Sequence, residues 1–161
     1  MKLKITKAFK QAAGLGAIAG MRTFMAPAVI THMYSRHPSR YLEHTPLEFM
    51  QTITTSKVFK VLAAGELVGD KLPHAPNRTA TPGLVGRAVS GIWAGATVYQ
   101  AHGKKPVMGG LVGGLSAIAS TFGCFFLRKS IARNTPVPDA VIGVIEDVLC
   151  ISAGASIARG Y

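Results

Sequence analysis

The chain has 161 residues, which suits a single domain (1–161), and only 16% of them are charged, against about 25% in ordinary soluble domains. The net charge of +11 comes from 18 Lys and Arg against 7 acids, and most of these cations lie at the N-terminus and between apolar stretches. No basic run is interleaved with stacking aromatic residues, so the composition argues against a nucleic-acid-binding protein and favours basic flanks around membrane segments.

The first apolar segment, 11–32, follows four lysines and is predicted to be an uncleaved membrane span. A basic start before an apolar run also resembles a signal peptide, but this run is long for one and contains Arg22 and Pro27. Mitochondrial import stays open as an alternative, because the start of the chain is basic and lacks acids.

Four further apolar segments follow, separated by polar connections that contain prolines. The second is short, about half of the roughly 20 residues that a complete span requires, and residues 47–53 before it are predicted to form a short interfacial helix. The pattern predicts an all-α polytopic membrane bundle of about four to five glycine-rich segments, which run over 11–32, 58–68, 83–101, 107–127 and 139–158.

An inverted internal repeat is a further hypothesis. The stretches 15–22 and 111–118 alternate small and aliphatic residues in a similar way, and each precedes an apolar segment with an embedded acidic pair. If five spans cross in turn, the first and fourth run in opposite directions, as in many secondary transporters. The alternative is that all segments rich in glycine and alanine resemble one another.

Two acidic pairs inside apolar stretches are the candidate site. Carboxylates are costly in hydrocarbon, so an intramembrane acid marks a functional site by default. Glu66 and Asp70 share a helix face, with Asp70 expected near the membrane interface, whereas the adjacent Glu146 and Asp147 point roughly 100° apart and should serve different partners. The candidate counter-charges are Arg22, Arg87, Arg78 and Lys71.

Two interpretations of these acids stay open. They could bind protons or cations, or they could form a purely structural network of ion pairs. The two cysteines and five histidines are scattered without ligand spacing, so we expect no metal site and no cofactor. Lys71 and Arg78 have the spacing that opens a lipid-phosphatase motif, but no histidine nucleophile follows, so we expect no enzyme.

The chain resembles a family of small bacterial integral membrane proteins that carries only a domain-of-unknown-function label. The resemblance covers nearly the whole chain and is most specific in the block Gly65-Glu-Leu-Val-Gly-Asp-Lys-Leu-Pro73. Its other parts are Gly20-Met-Arg-Thr-Phe24 with Pro27, Arg78 to Arg87, Pro138-Asp-Ala140 and Glu146-Asp147. It implies a multi-pass protein of the bacterial cytoplasmic (inner) membrane and supplies no activity.

Two functions follow as hypotheses. The first is a transporter or channel-like protein for a small solute or ion, and the second is a structural or assembly protein that oligomerises through its glycine faces. The expected partners are the lipid bilayer and further copies of the same chain.

Overall fold

Six α-helices and one 3₁₀ turn make up the part of the chain that the computed structural model describes, residues 6–69, 81–134 and 139–160. No strand occurs within these ranges, so the all-α prediction is confirmed for them. The helices are α1 Lys7–Met21, α2 Met25–Arg36, α3 Ile53–Gly69, α4 Thr81–Ala101, α5 Pro106–Asn134 and α6 Asp139–Arg159, and the 3₁₀ turn covers Glu48–Gln51.

The last three predicted segments are helices in the structure, with α5 extending seven residues beyond the predicted end at Leu127. The 3₁₀ turn lies where a short interfacial helix was predicted. The prediction of one continuous first span is wrong, because residues 11–32 belong to two helices, α1 and α2, that are separated by three non-helical residues.

The chain reverses direction between α1 and α2. Along α1, successive residues approach earlier positions of α6: Gly14 lies against Ile157, Ile18 lies near Gly154 and Arg22 reaches Asp147. Along α2 the order is opposite, since Val29 again meets Gly154, and Ser39 after the helix hydrogen-bonds Ala101 at the far end of α4. The two helices therefore form a hairpin whose tip is Arg22–Phe24.

This reversal also rearranges the charges at the ends of the bundle. We call the end that contains Thr6, the 37–52 connection, the 102–105 turn and Arg159 the amino-terminal end. A continuous first span would place seven cations on the side of the bundle opposite Lys7 and Lys10. These seven are Arg36, Arg40, Lys57, Lys60, Lys104, Lys105 and Arg159. The hairpin instead groups all nine at the amino-terminal end, while the exposed Lys129 and Arg133 lie toward the other end of α5.

The centre of the bundle is a three-helix contact in which α1, α4 and α5 approach through glycines. Gly91 and Gly95 of α4 pack against Gly113 and Gly109 of α5, so that the backbones touch. Gly16 and Gly20 of α1 make the same kind of contact with α5 around Gly113 and Ala117. Small residues allow this approach, and these particular glycines are therefore engaged inside the chain and not at a surface between copies.

The contact between α1 and α5 also tests the hypothesis of an inverted internal repeat. Gly16 lies beside Gly113, and Gly20, four residues later, lies beside Ala117, so α1 and α5 run in the same direction. An inverted repeat requires them to run in opposite directions. The predicted inverted relation is wrong, because it assumed that the first segment crosses without turning back.

The outer faces of α5 and α6 are apolar. Two helical stretches, Pro106–Ile131 and Val141–Arg159, are long and apolar enough to cross a membrane, and only 28% and 22% of their apolar windows are buried. A core helix of a soluble protein would be mostly buried, whereas here large side chains such as Leu115, Phe126 and Val148 face outward. These two helices support an association of the chain with a membrane.

The glycine contact generates a stability prediction. A Cβ at Gly113 would overlap the carbonyl oxygen of Gly91, whereas a Cβ at Gly123 on the same helix meets no atom within 4 Å. We expect Gly113→Ala to destabilise the protein by roughly 1–3 kcal/mol through overpacking, and Gly123→Ala to leave stability unchanged or raise it by up to about 1 kcal/mol. Thermal unfolding in detergent, followed by circular dichroism, measures both, and equal midpoints would contradict the proposed backbone contact.

Candidate functional site

A proline and an extended residue create the tip of the α1–α2 hairpin. In a continuous helix the ring of Pro27 would clash with the carbonyl group of Thr23, four residues earlier. The chain avoids this clash because Arg22 adopts an extended conformation (φ −141°, ψ 116°), and α2 then begins at Met25 with Pro27 in its first turn, where no backbone donor is needed. The break leaves several backbone groups without helical partners.

Glu66 of α3 accepts hydrogen bonds from two of the backbone amides that the break exposes. Its carboxylate oxygens lie 2.7 Å from the amide nitrogen of Thr23 and 2.8 Å from that of Phe24. A carboxylate at a helix N-terminus also interacts favourably with the helix dipole, here that of α2. Glu66 therefore fixes the tip of the hairpin to α3 by two charge-assisted hydrogen bonds.

Hydroxyl groups of α4 and α5 donate to the carbonyl groups near the break. Ser90 donates to the Thr23 carbonyl oxygen, the group that Pro27 would otherwise meet. On α5, Ser120 donates to Ala17 at 2.8 Å and Thr121 donates to Gly20 at 3.1 Å. Side chains from α3, α4 and α5 thus meet the hydrogen-bonding needs of the irregular backbone within the protein.

The first residue of the tip carries a buried ion pair to α6. Both Nε and Nη2 of Arg22 donate to Oδ1 of Asp147, with Nε at 2.7 Å. Arg22 is 2% exposed and Asp147 is 7% exposed, so the pair is shielded from solvent. Mutual attraction in such surroundings offsets the large cost of removing both charges from water.

A second charged group lies beside this pair. Glu146 is 3.6 Å from Nη1 of Arg128 on α5, and the buried Arg87 of α4 lines the same small cavity as both residues. The cavity has a volume of about 30 Å³, which is room for about one water molecule. A much larger groove between α4 and α5 has an apolar lining and lies apart from these charges, so it is not this site.

The structure unites most of the residues that the sequence nominated. Consecutive residues at the tip contact Asp147 and Glu66. In the described contacts Asp147 pairs with Arg22 and Glu146 with Arg128, as expected for adjacent helical residues that point in different directions. Asp70, Lys71 and Arg78 lie outside the described residues. The neutralisation of Glu66 and Asp70 by Lys71 and Arg78 therefore stays a prediction. Among the described groups, Glu66 accepts its hydrogen bonds from backbone amides.

Arg128 and Ser90 are functional candidates that the sequence analysis missed. Arg128 follows the predicted end of the fourth segment, and it was counted as a flanking charge because that helix was expected to stop at Leu127. Ser90 carries no signal in the sequence, since its importance comes from the position of the Thr23 carbonyl group. Pro27 was the available signal for the break itself.

The two described cysteines are free thiols. Cys150 is buried and its Sγ lies 3.9 Å from the carbonyl oxygen of Ile18, while Cys124 is half-buried and lines the small cavity. No cluster of three or more metal-ligating side chains occurs in the part of the chain that the structure describes.

Depth along α6 places the site well inside the bundle. Asp147 lies eight residues after Asp139 and twelve before Arg159, or about 12 Å and 18 Å at 1.5 Å per residue. The fold and the site together define a class: a helical bundle in which a broken helical hairpin ends in a buried charge cluster. Half-helix ends and buried charges of this kind can bind ions or protons.

Comparison with known families finds one that matches most of the chain. The family described as a domain of unknown function, DUF4126, matches residues 10–158, and the chain belongs to that family. No curated protein and no solved structure matches the chain. The resemblance seen in the sequence is thereby confirmed.

The two ion pairs lead us to expect unequal losses of stability when the adjacent acids Glu146 and Asp147 are replaced. Asp147→Asn removes one partner of a buried pair and should cost about 3–5 kcal/mol of stability. Glu146→Gln should cost clearly less, because its contact with Arg128 is longer and more exposed. Thermal or denaturant unfolding in detergent measures both, with the exposed Glu43→Gln as the control.

A compensating double variant tests the cause of that loss. Replacing both partners, as in Arg22→Met with Asp147→Leu, should recover much of the stability because no unpaired charge is left buried. A double variant as unstable as Asp147→Asn would contradict the ion-pair interpretation.

The two hydrogen bonds of Glu66 lead to a prediction about the local stability of the hairpin tip. Glu66→Gln places an amide NH₂ group against one of two backbone donors, so at least one charge-assisted hydrogen bond is lost. We expect the amides of Thr23 and Phe24 to exchange with deuterium roughly ten-fold faster or more. Hydrogen exchange of the variant against Glu43→Gln provides the measurement, and unchanged exchange at both amides would refute the capping role.

Proposed function

We propose that this chain is a multi-pass protein of the bacterial cytoplasmic membrane and acts as a transporter or channel-like protein for a small solute or ion. The observation that carries the proposal is the broken hairpin, whose tip contacts the buried carboxylate of Asp147 and the half-buried carboxylate of Glu66. Irregular backbone at membrane depth is tolerated only where protein buries it or a cavity surrounds it, and transporters place their binding sites at such breaks.

The helix directions support the proposed membrane arrangement. The hairpin would enter and leave on one side, and α3, α4, α5 and α6 would cross in alternation. The nine cations grouped at the amino-terminal end favour a cytoplasmic location for that end. With α6 as a span, Arg22 and Asp147 would lie about 12–18 Å from either end of the helix, near the middle of a hydrocarbon layer about 30 Å thick.

The carboxylates would bind the proton or cation. Glu66 is the best candidate for the binding group, because both of its carboxylate oxygens hold backbone amides of the hairpin tip, and any ligand that engaged them would compete with these two bonds. Loss of those bonds would free the hairpin tip from α3. Asp147 and Glu146, each facing an arginine, would exchange the arginine for a cation or respond to movement of the tip.

A structural or assembly role is the second candidate. The observation that favours it is the pairing of Asp147 and Glu146 with arginines beside a cavity that holds only about one water molecule. In that case the charges would hold the hairpin in place and nothing would pass through the bundle.

A measurement of proton flux distinguishes the transport function from the structural role. The purified protein is reconstituted into vesicles loaded with the pH-sensitive dye pyranine, and a potassium diffusion potential drives protons inward. Transport predicts faster acidification than in protein-free vesicles, and Glu66→Gln should abolish the difference while Glu43→Gln retains it. Equal rates with and without folded protein, across a series of external pH values, would favour the structural role.

Assembly is measured on the same samples. Size-exclusion chromatography and circular dichroism must show Glu66→Gln folded and monodisperse, since a misassembled variant loses flux for trivial reasons. If Glu66→Gln conducts like the wild type, the carboxylate is not the proton-binding group.

A further inference from the structure

The outer face of α4 and α5 contains an open groove with an estimated volume of about 530 Å³. Its lining combines small residues, Ala88, Ala96, Gly110 and Gly114, with larger aliphatic residues such as Ile92 and Leu115. No charged or polar side chain lines it, so the groove suits a hydrocarbon chain and offers nothing to a polar solute.

The groove covers only part of the bundle. On α5 its lining runs from Pro106 to Ile118, which is about 18 Å of helix at 1.5 Å per residue. One leaflet of a bilayer is half of the roughly 30 Å hydrocarbon thickness, so this length corresponds to a single leaflet. A helix of a second copy would be expected to follow the face along its whole length, whereas one lipid tail ends at the middle of the bilayer.

The end of the groove is basic. Pro106 follows directly after Lys104 and Lys105, and Lys105 is exposed. Lys104 is held in place by a 2.8 Å hydrogen bond from its Nζ to Thr6 Oγ1 and lies 5.8 Å from the centre of the Tyr99 ring. This end is the amino-terminal end, where seven further cations of the described chain also gather, and anionic headgroups are attracted to such sites.

We propose that the α4–α5 groove binds one acyl chain of an anionic phospholipid, whose phosphate lies beside Lys105. The proposal rests on the placement of the chain in a membrane and is independent of transport: the groove is separate from the charge cluster at the hairpin tip. Gly110 and Gly114 of α5 lie one position beyond the glycines that touch α4, and with Ala88 and Ala96 they leave the space into which the lipid chain fits.

Lipid binding to the whole protein in detergent is measured by native mass spectrometry, with phosphatidylglycerol and phosphatidylcholine of identical acyl chains as the probes. The wild type should carry one phosphatidylglycerol in preference to phosphatidylcholine. Lys105→Gln should lower the apparent affinity for phosphatidylglycerol about five-fold, the effect of one cation near an anionic headgroup, and Lys129→Gln at the other end should not.

Filling the groove tests the acyl chain separately from the headgroup. Ala96→Leu should reduce binding of both lipids, whereas Ala119→Leu, on an exposed position of α5 outside the lining, should not. If Ala96→Leu misfolds, Ala88→Leu fills the same groove from another turn of α4.

Three results would overturn the proposal. One is equal binding of the two lipids by the wild type, and another is equal lipid binding by the groove-filling and control variants. The third is a protein dimer that Ala96→Leu converts to a monomer, since a second copy would then occupy the groove. Loss of lipid selectivity with unchanged proton flux would leave the proposed transport function intact.

Discussion

The break between α1 and α2 is the constraint on which the rest of the structure depends. Pro27 prevents a continuous helix, and the exposed backbone groups must then find partners in a setting that offers little water. Glu66 of α3, Ser90 of α4, Thr121 of α5 and Asp147 of α6 all reach residues 20–24. Four helices are thereby positioned around one short segment, and the direction of every later helix follows from the hairpin.

Close packing of glycines and burial of charges are connected in this bundle. The glycine contacts bring the backbones of α1, α4 and α5 together, so their hydroxyl groups and arginines lie within reach of the break. A wider spacing would let water into the centre and would weaken each ion pair there. The same close approach leaves the outer groove between α4 and α5, because small residues on both helices lack the volume to fill it.

The sequence could predict the helices after the first segment, because their apolar runs are long and are bounded by prolines and charged residues. It also predicted that Glu146 and Asp147 would serve different partners, since adjacent helical residues point in different directions. It failed at residues 22–24, because only Arg22 and Thr23 are polar there, and two polar residues inside a long apolar run change its mean hydropathy little. That single error reversed the expected direction of every helix after the hairpin, placed seven cations at the wrong end of the bundle and suggested an inverted repeat.

Composition and local pattern by themselves determined the all-helical class and the family, because these depend on residue type and spacing along the chain. Only the tertiary structure decided which charges meet. Arg22 and Asp147 are separated by 125 positions, and the Glu66 carboxylate finds amides 42 and 43 residues away. Contacts over such distances depend on helix directions and on the closeness of glycine-lined backbones, and neither quantity is encoded in any one segment.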